Sequence, residues 1–270
     1  MGSLGTIKMG TGFGGIHGSY DEEVPQAYEQ ASDVHAGGSS NSVGSFTDNG
    51  GLTWAVPSFS MGGATASLVL GWVPNADGAG NSNGGVGTRT GSWGDGVDAG
   101  LTIATDMGLT IGAYAATREQ NTPNPSGSRA TADEFNAVGY AKYSAGPVSF
   151  GYSSSYYDSG VTGSGGTANA TKAVGTASGV FEMEQMSVAF NVNDNLSISY
   201  TESEDTYDAQ SNVANGTETA DVTQETEALQ AAYSMGGMTI KAFQMEASNP
   251  GWDSDATKNT FREISIGLSF

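Results

Sequence analysis

The sequence predicts an all-β fold, a single antiparallel sheet closed into a transmembrane barrel. Three features carry that prediction. Bulky apolar residues alternate with small polar ones along segment after segment, the connections alternate between short and long, and an amphipathic strand runs to the terminal Phe270. The last ten residues, FREISIGLSF, set Ile264, Ile266, Leu268 and Phe270 on one side and Glu263, Ser265, Gly267 and Ser269 on the other. An amphipathic edge of this kind at a chain end invites aggregation unless it is closed into a barrel.

Period-two segments fall at 4–10, 51–56, 61–73, 95–105, 109–118, 133–144, 147–157, 180–191, 196–204, 223–234, 238–246 and 259–270, twelve strands in all. Most have the nine to twelve residues that a tilted strand needs to cross a hydrocarbon layer. Short connections at 57–63, 105–108, 144–147, 191–195 and 234–237 carry the Gly, Asn and Asp that tight hairpins demand. Between them lie long polar loops at 11–50, 74–94, 119–132, 158–179, 205–222 and 247–258. A soluble sandwich has no need for every second hairpin to be long, whereas a membrane barrel shows that asymmetry.

The two faces of each strand differ in kind. Leu109, Ile111, Ala113 and Ala115 alternate with Thr110, Gly112, Tyr114 and Ala116, and Leu196, Ile198 and Tyr200 alternate with Ser197, Ser199 and Thr201. Gly, Ser and Thr are poor fillers of a packed core but suit a wall facing water, with the large side chains facing lipid. Trp54, Trp72, Tyr143, Tyr156, Tyr157, Tyr233 and Phe270 sit toward strand ends, where rings at headgroup level are expected.

Composition removes several classes of function. No apolar run is long enough for a membrane helix. The formal charge of -20, with 29 acidic and only 9 basic residues, argues against nucleic acid, which requires clustered Lys and Arg. With no cysteine there is neither a disulfide framework nor a thiolate metal site. The only histidines, His17 and His35, share one loop, and no convergent Ser/Asp/His set accompanies them, so no enzyme is expected. No cofactor is implied; weak Ca²⁺ binding by acidic loops is the one metal reading, and solvated acids are the alternative. Met1-Gly2-Ser3 leads directly into strand-like LGTIKMG, so the sequence reads as lacking a secretory signal.

The scarce basic residues can be placed one by one. Strand parity puts Lys8, Arg118, Lys142 and Lys241 on the polar side, as the wall of a water-filled bore, and Arg262 on the apolar side near a strand end. A cation on the lipid face near the midplane costs about 2–4 kcal/mol, whereas a lumen cation tunes selectivity. Asp21, Glu22, Glu23, Glu29 and Asp33 lie in the longest loop. Folded inside, that loop narrows the bore and opposes carboxylates to the basic wall; hung outside, it only solvates.

The terminal ISIGLSF strand, the GTIKMG strand leading into a loop with Asp21-Glu22-Glu23, and the loop alternation together resemble the general diffusion porins of Gram-negative outer membranes, closest to the alphaproteobacterial group. The resemblance implies one porin domain over 1–270 with 11–50 folded inside as the pore-constricting loop. It implies Asp21, Glu22, Glu23, Glu29 and Asp33 at the constriction and an assembly signal in Ile264, Ile266, Leu268 and Phe270. It implies a sixteen-stranded homotrimer in the cell outer membrane, with outer-membrane lipid, lipopolysaccharide and small hydrophilic solutes as partners. Matching 4–10 to the family's fifth strand leaves four strands and a signal peptide absent, so truncation is expected over a self-closed tube of twelve strands. The function expected is passive diffusion of small hydrophilic solutes and ions with weak cation preference. The alternative is a secreted or surface-exposed soluble β-sheet adhesin or binding protein.

Overall fold

A computed structural model describes residues 4–11, 15–21, 23–31, 43–47, 49–76, 93–120, 132–158, 160, 180–208 and 221–269. The strands are β1 (Thr6–Thr11), β2 (Asn49–Ala55), β3 (Phe59–Met61), β4 (Ala64–Val73), β5 (Trp93–Thr105), β6 (Leu109–Gln120), β7 (Glu134–Ala145), β8 (Val148–Asp158), β9 (Val180–Asn191), β10 (Leu196–Asp208), β11 (Val222–Met235), β12 (Met238–Ser248) and β13 (Asn259–Leu268). All belong to one antiparallel sheet in which sequence neighbours pair, and β3 is a side branch on β4. The connection expected at 57–63 therefore contains a short strand of its own. Among the described residues β1 and β13 end the order without pairing to each other, so a self-closed tube of twelve strands is not formed.

The long strands outrun their sequence signal at the long-loop end. β10 extends to Asp208 rather than 204, because Glu204, Thr206 and Asp208 on one face and Ser203, Asp205 and Tyr207 on the other blur the hydrophobic alternation. The ladder itself continues, pairing Thr206 with Glu182 and Thr223. Backbone pairing needs no apolar partner once the neighbouring strands supply amides and carbonyls.

Burial is inverted relative to a water-soluble sheet. On β6, Tyr114, Ala116 and Arg118 are buried while Ile111 and Ala113 are exposed; on β9, Gln185 and Ser187 are buried while Met186, Val188 and Phe190 are exposed. No second sheet packs over the apolar side among the described residues, and Ile111, Ile266 and Leu268 stand 45%, 63% and 60% exposed. A continuous band of large exposed apolar side chains is what a lipid-facing wall presents. Trp54, Trp72, Tyr143, Tyr156 and Tyr233 share that outer face by register. Tyr157 does not: it points inward and packs with Phe181, Tyr207, Val222 and Trp252 in a buried cluster. An aromatic near a strand end is thus sorted by parity, which composition alone does not reveal.

Candidate functional site

The inner face carries a chain segment laid across it. After β1, residues 15–21 and 23–31 run from a 3-10 turn at Ile16–Ser19 along β4 to β13. Gly71 of β4 lies against Ile16, and Gly100 of β5 lies under the Tyr20 ring. Tyr20 stacks on Tyr114 of β6 at 5.5 Å and tilts toward Tyr140 of β7 at 6.3 Å. Glu23 pairs with Lys142 of β7, and Val24 and Pro25 rest on Gly151 of β8. The Pro25 carbonyl accepts from Ser187 of β9, and the Ala27 amide donates to Ser199 of β10 at 2.9 Å. Gln230 of β11 accepts from the amides of Tyr28 and Glu29 and donates to the Glu29 carbonyl at 2.6 Å. The Tyr28 ring meets Phe243 of β12, and its hydroxyl donates to Glu263 of β13.

At about 3.3 Å per residue, the steps from Ile16 to Tyr28 barely match the flat width of those strands at about 4.8 Å each, and the 3-10 turn shortens them. The contacts form because the sheet curls around the segment. Inner-face glycines make the close approach feasible: a Cβ on Gly100 would strike the Tyr20 ring, and one on Gly151 would strike Pro25.

The returning limb, 43–47, is fastened separately. Asp98 accepts from Ser45, from Thr47 at 2.9 Å and from the Phe46 amide at 3.2 Å. The Tyr114 hydroxyl donates to the Gly44 carbonyl at 2.8 Å, and the Gly44 amide donates to Asn136 at 3.2 Å. Beside this limb, Arg118 is 4% exposed. It pairs with Glu134 at 2.6 Å, donates to the Ala76 carbonyl, and lies over the rings of Trp93 and Phe46.

The residues expected at the constriction and wall are therefore placed unequally. Glu23 and Glu29 are half-buried on the inner segment, and Asp21 is buried beneath it. Glu22, Asp33 and Phe270 lie outside the described residues. Lys142 faces inward against Glu23, and Lys241 stands over the Tyr28 ring at 5.0 Å. Lys8 is exposed, in the inward register row of Thr53, Gly71 and Asp98. Arg118 also has inward parity, but its charge is taken up by Glu134. Arg262 lies on the outer face and donates to Gln244 at 3.0 Å. Ile264, Ile266 and Leu268 line the outer edge of β13.

Sequence reasoning missed Tyr20, Tyr28, Ser187, Ser199 and Gln230 as anchors. For Ser187 and Ser199 the signal was the inward parity of small polar residues, which reads equally well as bare water-facing wall. Burial raises the Tyr20 pKa, and the hydrogen bond to Glu263 raises that of Tyr28, so both hydroxyls stay protonated at neutral pH. Among the described residues no cluster of His, Asp and Glu is arranged to hold a metal ion.

No protein-family model matches the chain, and no curated protein matches it. Solved structures do. A porin crystal structure superposes with a TM-score of 0.58 at 12% identity, over 100% of this chain and 79% of its own. The outer-membrane channel DcaP of Acinetobacter baumannii gives 0.55 at 9% identity, over 98% and 69%. A loop-deletion form of the Vibrio cholerae outer-membrane protein OmpT gives 0.51 at 13% identity, over 98% and 74%. The fold is that of the outer-membrane porins. Identity this low speaks for architecture, and the porin-type sheet with bulky side chains outward and polar side chains inward is common to this chain's sequence and its structure.

Proposed function

We propose that the protein is an outer-membrane channel for passive diffusion of small hydrophilic solutes and ions, with weak cation preference. The observation that carries this reading is the inverted sheet: a lipid-compatible outer face, and a polar inner face along which residues 15–21 and 23–31 are laid. The segment narrows the bore as a constriction loop. Glu23 and Glu29 present carboxylates there, Lys142 and Lys241 face them from the wall, and Lys8 adds a cation at the β1 edge. With Glu23 neutralised by Lys142, Glu29 and the overall charge of -20 leave a field that favours cations. Asp21, Glu22 and Asp33 belong to the same acidic loop in this reading. Arg118 acts as a positioning clamp for the returning limb rather than as an open wall charge.

The GTIKMG and ISIGLSF motifs support the finer assignment to the alphaproteobacterial porins, with Phe270 completing the assembly signal and three copies forming the working unit. Planar-bilayer recording tests the function. Glu23→Gln with Glu29→Gln should move the zero-current potential in a salt gradient toward anion passage. A reversal potential identical to the parent's would place these side chains outside the conduction path, and a protein that stays monodisperse without detergent would end the channel reading.

A further inference from the structure

The outer face is not uniform. On β6 and β7 its apolar residues continue from Leu109 and Tyr143 to Ala115 and Phe135, but on β9 and β10 they stop at Met186 and Tyr200. Beyond that line come Glu184 and Glu182 on β9, and Glu202 and Glu204 on β10. Where the two kinds of surface meet, a groove of about 440 Å³ opens on the outer side.

Two register rows build the groove. Tyr143, Phe150, Val188 and Tyr200 stand side by side across β7 to β10 and form its apolar wall. One row nearer the long loops come Ala141, Tyr152, Met186 and Glu202, with the small Ala141 leaving the recess. The tyrosines tie acids to the rim: Tyr152 donates to Glu184 at 3.0 Å and Tyr200 to Glu202 at 2.8 Å. Glu202 is in direct register with Glu227, and Glu204 with both Glu184 and Glu225. Like charges directly opposite one another in a sheet repel, and Lys258, which pairs with Glu246, is the one cation ion-paired to this acidic face among the described residues. The rim calls for a cation, and the recess calls for an alkyl chain.

Resting on the membrane reading above, we propose that this groove binds an amphiphile with an acyl chain and a cationic amine head. The chain lies along Phe150 and Val188, and the ammonium sits between Glu184 and Glu202. Charge complementarity selects this occupant over a second copy docked through the same patch, whose exposed Glu184 and Glu202 would meet acids of their own kind. The amine also removes the conflict of placing carboxylates next to hydrocarbon.

The test uses the whole chain folded in maltoside micelles doped with dodecylamine, dodecanol or dodecanoate, with the heat-unfolding midpoint read from the β-sheet circular dichroism. Dodecylamine should raise the midpoint most, dodecanol less, and dodecanoate not at all. Glu184→Gln with Glu202→Gln should make the amine equal to the alcohol, and Val188→Trp, which fills the recess, should remove both effects. Glu182→Gln with Glu225→Gln, which leaves the carboxylates bonded to Tyr152 and Tyr200 in place, should preserve the amine advantage. The proposal is overturned if the parent shows no amine advantage, if that advantage survives Glu184→Gln with Glu202→Gln, or if the second pair of substitutions abolishes it equally. These outcomes are read on micelle-folded protein, so they are separate from the detergent-free solubility that would end the membrane reading.

Discussion

From Ile16 to Glu23 the inner segment is held mainly by rings and alkyl groups packed on β4 to β7, whereas from Val24 to Glu29 it rests on Gly151 and is otherwise held mainly by hydrogen bonds to β9, β10 and β11. The first half joins the buried cluster of Ile16, Tyr20, Phe46, Tyr114 and Tyr140. The second half has Ser187, Ser199 and Gln230 beneath it and one ring contact, Tyr28 on Phe243. Burial of a large side chain contributes about 1.5–3 kcal/mol, while a net hydrogen bond contributes about 0.5–1.5 kcal/mol. The difference teaches that one segment can be both fixed and adjustable. Its start is a foundation, and its end is the part whose position a few polar side chains decide.

The sharpest way to break the cluster that the fixed half joins is through Arg118, which clamps the returning limb at Phe46. Arg118→Ala leaves Glu134 buried without its cation and strips a contact from Trp93 and Phe46. It should lower unfolding stability by about 3–5 kcal/mol in denaturant titrations of micelle-folded protein. Arg118→Met combined with Glu134→Leu should recover most of that loss, because a buried pair replaced by apolar groups of similar size is often nearly neutral. If the double variant is as unstable as the single, the clamp holds by its charge and not by packing.

Gly100→Val sets a branched side chain under the Tyr20 ring and should cost about 1–3 kcal/mol by overpacking. It should also change single-channel conductance, since the start of the segment must move off the wall. Conductance and stability both equal to the parent's would mean that Tyr20 is not the foundation described here.

On the adjustable half, Gln230→Ala removes the amide that serves Tyr28 and Glu29 together. A loss of about 1–3 kcal/mol is the upper range, because the freed backbone groups can turn to water in the bore. The larger signature should be electrical: open-channel noise rises while mean conductance changes little. A quiet channel with unaltered noise would show that the two halves are equally rigid.

Much of the fold was legible because a sheet has a period of two. Alternation at 109–118 and 180–191 separated Ile111 from Tyr114 and Val188 from Ser187, and turn residues at 105–108 and 144–147 located the hairpins. The extension of β10 beyond 204 was hidden where acids occupy the outer face, since charge there erases the hydrophobic signal without disturbing the ladder. Of the site, the inward parity of Lys142 and Lys241 was legible, but their partners were not. Glu23 and Tyr28 lie more than a hundred residues away in sequence, and no local rule joins them.

The amino-acid sequence by itself determined which side chains face which way, because each strand sorts its own residues as soon as it pairs. Only the tertiary structure decided that Gly100 and Gly151 are seats for Tyr20 and Pro25 rather than bare wall, and that Arg118 is spent on Glu134. A glycine reads the same whether water or a ring lies above it. What lies above it is settled by how far the sheet curls, and that curvature comes from many strands acting together.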